Sequence, residues 1–433
     1  MIESSSPTWN PDVIRDIHAK SDIGRYRIRG FNTFQRVPHF DDLVFLSTGL
    51  TRFPLEGYKE KCDTRTVLGK RFATEPLELD IPIYISGMSY GALSRNAKVA
   101  LGRGATRVGT ATCTGDGGMH PDEREASKKL IYQVLPSRYG FDPHHLVGGQ
   151  AVEIVVGQGA KPGTGGMLMG VKVRDDVAEQ RDLPTGIDQR SPTRHPDWLG
   201  PDDLAIKIEQ IREATDWRVP VQIKLGACRV KDDVKLAAKC GADSIVIDGM
   251  QAGTGASGEV LLDHSGIPTL AAIVAAREAL QEIGLYGEIS LIASGGIRSG
   301  ADAAKALALG ADAVAIGIAA LIALNCNRDI PEADFEKEVG VPAGHCTKCH
   351  TGRCPVGVAT QDPELEKRLN VDEAADRVAN FLNACTMEMA LLARSLGKGN
   401  VHSLEPEDLA ALTIEASAMA RVPLAGTDKV FGT

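Results

Sequence analysis

From residue 81 onward one unit recurs: a short apolar run closes in a glycine-rich turn, and a helical stretch follows. The runs are IPIYISGMSYG (81–91), TRVGTATCTGDGG (106–118), AVEIVVGQGAKPGTGG (151–166), PVQIKLG (220–226), ADSIVIDG (242–249), EISLIASGG (288–296) and ADAVAIG (311–317). Helical patterns stand between them, among them NAKVALGRGA (96–105), a stretch near 202–214, DDVKLAAKCG (232–241), TLAAIVAAREALQEIG (269–284) and ADAAKALALG (301–310). A strand that is apolar along its whole length needs cover on both faces, so the pattern calls for a parallel sheet flanked by helices. Two α/β architectures meet that demand. A doubly wound open sheet gathers its ligands at one switch point, whereas a (β/α)8 TIM-type barrel draws site residues from many strand ends. Polar or glycine-rich turns close nearly every strand here, which favours the barrel, with seven strands visible and an eighth still to be found.

The rest of the chain is arranged around that barrel. Residues 1–80 read as an irregular lead-in that packs on it, and PHFDDLVFL (38–46) mixes acids with large apolar groups as a docking element would. The expected barrel spans 81–324, a cysteine-bearing insert 325–363, and a helical extension 364–433, with helices over 364–397 and 405–421. Net charge is −9, which argues against a nucleic-acid partner. The opening MIESSSPTWNPDV has neither a basic nor an apolar leader segment, and ADAVAIGIAALIAL (311–324) is too short to span a bilayer. The cytoplasm is the expected compartment, with no membrane association. Nine cysteines there do not form a disulfide framework.

Three late turns form a candidate phosphate cradle: DGMQAGTGAS (248–257), SGGIRSG (294–300) and AIGIAA (315–320). Glycine lets backbone amides approach a phosphate, and the last two strand ends of a barrel are where one often docks. Asp248, Gly249, Gly253, Thr254, Ser294, Gly295, Gly296, Arg298 and Gly317 are the candidates, set against the plainer reading of tight turns. Lys224 ends an apolar strand, where a bare ammonium is costly. It meets either the pyrimidine edge of a flavin or a structural partner such as Asp248. Gly87, Met88 and Ser89 either lay backbone amides against a planar ring or make a simple turn. Thr114, Gln158, Asp116 and Lys161 offer polar groups at the early strand ends, and Tyr90, Gly115 and Arg229 are further substrate contacts. Cys62, Cys113, Cys228, Cys240 and Cys385 read as core residues.

HCTKCHTGRCPVG places Cys346, Cys349 and Cys354 in a C-x2-C-x4-C spacing followed by Pro355. Thiolates this close point to an iron–sulfur cluster, or to zinc with His345 or His350 as a further ligand. Cys326 is an additional candidate ligand.

SGMSYGALS, TGDGG, GQGAKPGTGG, DGMQAGTGAS, SGGIRSGADAAKALALGADAVAIG and CHTGRCPVGVATQDPEL together resemble the FMN-binding synthase domain of glutamate synthases, over roughly residues 75–370. The terminal segments resemble its stand-alone type, such as the flavin subunit of N-methylglutamate synthase. The resemblance implies a (β/α)8 barrel with FMN at the strand C-terminal ends. It also implies a [3Fe–4S] cluster on three cysteines, here matched to Cys326, Cys349 and Cys354. Cys346 is extra and would permit [4Fe–4S]. Lys224, Asp116, Lys161 and Gln158 become the catalytic candidates. The implied reaction is reduction of an iminoglutarate, with N-methylglutamate formed from glutamate and methylamine. The alternatives are ferredoxin- or NAD(P)H-linked synthesis of glutamate from 2-oxoglutarate with ammonia or glutamine, and a non-catalytic iron–sulfur platform. A 2-hydroxy acid oxidase or IMP dehydrogenase-like barrel would need a His base or a catalytic Cys loop, and neither is evident. With Met-Ile at its start and no Cys before position 62, the chain is expected to rely on a separate amidotransferase-like subunit and a Gly-repeat β-helix subunit. Ferredoxin is a further candidate partner.

Overall fold

A computed structural model describes residues 6, 8–331 and 346–432. Eight parallel strands form its centre: β1 (Ile83–Ile85), β2 (Thr112–Cys113), β3 (Leu130–Val134), β4 (Ala151–Val155), β5 (Val221–Gly226), β6 (Ser244–Asp248), β7 (Ser290–Ser294) and β8 (Ala313–Ile316). Their hydrogen-bonded order is β1-β8-β7-β6-β5-β4-β3-β2, which is chain order around a ring. The β1–β2 seam is bridged where the Ile85 amide donates to the Ala111 carbonyl at 2.9 Å and the Thr110 hydroxyl to the Ile83 carbonyl at 2.6 Å. The result is a nearly closed (β/α)8 barrel. Its eighth strand, hidden in the sequence, is LIYQV, with every residue buried.

Side chains alternate along each strand, so two cores form. The inner one joins Tyr84, Cys113, Ile131, Ala151, Val246, Ile292, Ala313 and Ala315 with Leu68, Leu77 and Leu79. Those three leucines come from an antiparallel hairpin, Thr66–Leu68 with Leu77–Leu79. The hairpin plugs the N-terminal end of the barrel, and its Gly69 amide donates to the Ser290 hydroxyl at the start of β7. The outer core lies between strands and helices. Helix Val371–Ser395 packs against both Arg95–Arg107 and Gly300–Ala308, and so takes the eighth place in the helical ring. Gly104 and Gly300 allow the approach, their Cα atoms lying against Val378 and the Cys385 backbone.

The lead-in is more ordered than its composition suggests. It opens with helix Pro11–Ile23, capped by Asn10. Strand Ile28–Phe31 then pairs antiparallel with Thr254–Gly258 beyond β6, across the barrel mouth. Residues 38–46 dock as expected, with Phe40 and Leu43 fully buried. The expected helix over 405–421 is a correction. Leu409–Ala411 instead forms a strand paired with Leu43–Phe45, between a single 3-10 turn at Pro406–Asp408 and a short α-helix at Ile414–Ala420. Tertiary pairing there overrides a helix-prone, alanine-rich sequence. Among the described residues no helix is long and apolar enough to cross a membrane.

Asp243, fully buried before β6, holds the lower end of the barrel together. It accepts from the Phe72 amide at 3.0 Å and the Val221 amide at 2.8 Å, and pairs with Arg212 at 3.1 Å. Asp243→Ala leaves a buried guanidinium and two amides unsatisfied. It should cost about 3–5 kcal/mol, measured by urea unfolding; a loss below ~1 kcal/mol would show that Asp243 does not carry that junction.

Candidate active site

The C-terminal strand ends open into one cavity of about 770 Å³. Its floor is a polar column inside the barrel. Glu153 on β4 is 2% exposed and accepts hydrogen bonds from the side-chain amides of Gln133 on β3 and Gln222 on β5, the latter at 2.6 Å. Two residues above Gln222, Lys224 points the same way. Its Nζ donates to the Ser86 hydroxyl at 3.1 Å and lies 3.8 Å from Asp248 Oδ2. Burial pulls this lysine's pKa down, but the charges of Asp248, Glu153 and Cys113 outweigh it and hold the value above the ordinary one. Asp248 is fixed by the Gly159 amide at 2.8 Å. Lys224 thus has the structural partner Asp248, and it also lines the cavity.

On one wall the amides of Gly87, Met88 and Ser89 donate to no group among the described residues. A Cβ at Gly87 would stand 2.6 Å from the Gln133 side-chain amide carbon, which would then have to shift. The Gln133 carbonyl oxygen beside it is buried without a partner. On the far wall Gly295 and Gly296 have φ of 104° and 76°, in the region that favours glycine.

The segments after β2 and β4 supply a second set of charges. Asp116 accepts from Ser137 Oγ at 2.6 Å and Ser191 Oγ at 2.8 Å. Lys161 Nζ donates to Thr254 Oγ1 at 3.3 Å. Its enclosure in the cavity pushes the ammonium pKa down to about 8, with Asp116 opposing and Lys224 assisting. Arg181, 3% exposed, lines the same wall. Its guanidinium donates to Gln189 Oε1 at 3.0 Å, to the Tyr90 carbonyl at 2.7 Å and to the Asp116 carbonyl at 3.2 Å; among the described residues it pairs with no carboxylate and its Nε is unpartnered.

Most predicted residues meet here. Asp116, Gln158, Lys161, Lys224 and Asp248 line the cavity, as do Gly87, Met88, Ser89, Gly253, Thr254, Ser294, Gly295, Gly296, Arg298 and Gly317. Thr114, Gly115 and Gly249 do not; Thr114 is fully buried, its hydroxyl engaged with the Gly115 carbonyl and the Gln133 amide. Tyr90 turns away into a separate cluster with Leu168 and Val177, its hydroxyl donating to Asp176. Arg229 is exposed beside helix Val230–Lys239. Arg298 reaches the cavity with its fork already engaged, to Asp302 at 2.9 Å and Asp41 at 2.6 Å. Of the cysteines read as core, Cys228 is exposed and Cys62 partly so. The sequence reading passed over Arg181, Gln133, Glu153 and Gln222. The last three carry the signal that exposed Lys224, a polar side chain inside an apolar strand; Arg181, at the end of a short helix, carries none.

Cys326, Cys346, Cys349 and Cys354 are gathered beside this cavity, and Cys326 and Cys349 line it. Burial pushes the Cys349 thiol up to about 12, with Cys354 adding to the rise and Lys172 opposing it. Among the described residues, however, the side chains close enough to share one ion are His39, Asp41 and Asp302, not the thiols. Arg298 and Lys305 already balance those two acids. His345 lies outside the described residues, and His350 belongs to no set of that kind.

The family description "Conserved region in glutamate synthase" matches residues 41–399. The chain belongs to the glutamate synthase family. The match covers the barrel and its flanks, so the chain carries the catalytic domain of that family. It is 56% identical to a glutamate synthase large subunit-like protein of Rhizobium meliloti, over 98% of this chain and 95% of that protein. It is 38% identical to an archaeal glutamate synthase [NADPH] of Methanocaldococcus jannaschii, over 92% of this chain and 80% of that one. It spans 21% of the Bacillus subtilis glutamate synthase [NADPH] large chain, at 33% identity. Among solved structures, a lactate oxidase of Pediococcus acidilactici (TM-score 0.53, 14% identity, 86% of this chain and 84% of that one) and a flavocytochrome b2 variant (TM-score 0.52, 17% identity, 91% and 81%) share the fold.

Gly295 offers a direct check on the cavity wall of this synthase-family barrel. A Cβ there would lie 2.8 Å from the Gly249 carbonyl oxygen on a backbone of positive φ. Gly295→Ala should therefore cost about 1–3 kcal/mol in chemical denaturation. A neutral result would mean that the turn can relax into the cavity.

Proposed function

We propose that the chain binds FMN at the barrel mouth and reduces the imine of 2-oxoglutarate to glutamate, with electrons drawn ultimately from NADPH. One observation carries the reading: a buried cation, Lys224, and a wall of unpaired amides at 87–89 face the same cavity as two further cations, Lys161 and Arg181. The first group suits a planar ring that becomes anionic on reduction. The second suits a dicarboxylate. The names of the archaeal-type relatives support NADPH as the source of electrons.

The unpartnered Gln133 carbonyl oxygen and the glycines at 295 and 296 fit an FMN ring and its phosphate. Bound there, FMN would supply the hydride that the imine carbon accepts. Lys224 holds a positive charge at the cavity floor, and Asp248 keeps it in place. Arg181 and Lys161 are the cations that face the two carboxylates; among the described residues the Arg181 guanidinium has neutral acceptors but no carboxylate to balance its charge. Asp116, fixed by two hydroxyls, is the carboxylate placed to hold a proton for the imine nitrogen. Gln158 lines the same space and orients the substrate.

Further parts of the proposal are an iron–sulfur cluster on Cys326, Cys349 and Cys354, with Cys346 in reserve, and a separate glutamine-hydrolysing subunit as the source of ammonia. The clustering of the thiols supports the first. Exchange of methylamine into glutamate would use the same cations, and the assay below separates the two reactions.

The purified chain should release FMN on denaturation; recovery of FAD, or no uptake of FMN, would sink the flavin reading. With the flavin chemically reduced under anaerobic conditions, 2-oxoglutarate and ammonium should reoxidise it and yield glutamate. Product only from glutamate and labelled methylamine would make the chain an N-methylglutamate synthase instead. Iron and labile sulfide should accompany the anaerobically purified protein, and zinc in their place would overturn the cluster. An ordinary lysine keeps its charge to about pH 10, but Lys161, lowered to about 8, loses it sooner. kcat/KM for 2-oxoglutarate should then fall about tenfold per pH unit above pH ~8, and Lys161→Met should abolish that limb while raising KM.

A further inference from the structure

Lys98 has no part in the reading above, yet it sits directly behind the wall of unpaired amides. It projects from helix Arg95–Arg107 and is 3% exposed. Its ammonium donates to the Met88 carbonyl, to the Thr114 carbonyl at 2.9 Å and, more weakly, to the Cys113 carbonyl at 3.4 Å. Among the described residues its single counter-charge is Glu123, 2% exposed on helix Pro121–Ala126, whose second carboxylate oxygen has no partner there. A lysine so enclosed is expensive to bury, and beside the Glu123 carboxylate all its bonds go to backbone carbonyls.

The two loops it clasps follow β1 and β2, and they touch backbone to backbone. Gly115, at φ 77°, lies so close to the Met88–Ser89 peptide that no Cβ would fit. A trans peptide is planar, with its carbonyl and its amide on opposite sides. With the Met88 carbonyl drawn to Lys98, the Ser89 amide is turned the other way, and it donates to no group among the described residues. Thr114 carries the effect to a third strand, because its hydroxyl accepts from the Gln133 amide.

We infer that the Lys98–Glu123 pair is a positioning device for the flavin wall: by holding the Met88 and Thr114 carbonyls it presents the Ser89 amide of that wall to the ring. The inference rests on the flavin reading. Lys98 itself touches neither cofactor nor substrate, so it acts only through those peptides.

The test compares FMN dissociation constants and flavin midpoint potentials, with the melting temperature of the flavin-free protein as the measure of a purely structural role. Lys98→Met alone would strand the Glu123 carboxylate, so the informative variant is Lys98→Met/Glu123→Gln, which removes both charges together. It should bind FMN about ten- to a hundredfold more weakly and shift the midpoint potential, while the flavin-free protein melts close to the parent. Glu123→Gln alone keeps the carbonyl bonds, and should lower the melting temperature while leaving FMN affinity within about twofold. If the Met form does not fold, Lys98→Gln/Glu123→Gln carries the same comparison. A neutral double variant with parental affinity and potential overturns the inference and leaves the flavin reading standing. A parent chain that takes up no FMN removes the flavin reading, and the inference falls with it.

Discussion

One ammonium group governs the mouth of this barrel. Lys224 stands at the top of a buried polar column inside the barrel, and a charge there is tolerated only with partners on several strands at once. Asp248 on β6, Ser86 after β1 and Glu153 on β4 surround it, and Gln133 and Gln222 hold Glu153 in turn. The strands must close in register for these groups to meet, because Lys224 is level with Val155 on one side and Val246 on the other. The hairpin of Leu68, Leu77 and Leu79 keeps the opposite end of the interior apolar. A polar floor beneath an open mouth and a sealed apolar base together orient the barrel for chemistry at one end.

Much of this was legible in the sequence because buried charge and glycine clusters are expensive. Lys224, Asp248, Lys161 and Asp116 stand out as polar groups at the ends of apolar runs, and all four line the cavity. The strand LIYQV escaped because its central polar residue breaks the apolar run and the helix before it has only six residues. Arg181 escaped for a different reason. At the last turn of helix Asp175–Arg181 a basic residue reads as a solvent-facing favourite of the helix dipole, and only the fold of the loop after β4 buries it. The errors run the other way at Tyr90, Thr114 and Gly115. A motif names consecutive residues, but neighbours in an irregular loop face different directions, and only some of each motif reach the cavity. Arg298 shows a further limit: its fork reads as free in the sequence and is taken by two acids in the fold.

The cysteine loop is coupled to the rest of the site through backbone. Cys349 packs on Gly30 of the lead-in strand, where a Cβ would lie 2.8 Å from the cysteine's own. Lys172 donates to the Cys349 carbonyl at 3.1 Å. Ser94, the cap of the helix that carries Lys98, donates to the Gly357 carbonyl at 2.7 Å, just beyond Cys354. The loop, the lead-in and the first barrel helix are therefore tied to one another by direct contacts.

The pairing of Ile28 with Gly258 also has a temporal side. The lead-in strand leaves the ribosome early, but its partner is formed only after six barrel strands have been made. Contacts so distant along the chain close late, since loop entropy must be overcome before they return any stabilisation. We expect a stage in folding when the barrel stands complete and its mouth is still uncovered, the stage at which a large cofactor enters most freely. Amide protection at 28–31 that appeared before protection of β5 and β6 during refolding would contradict this order. Residues 28–31, made before the barrel, would thus be among the last to find their place, and they would close the door behind whatever the barrel has taken in.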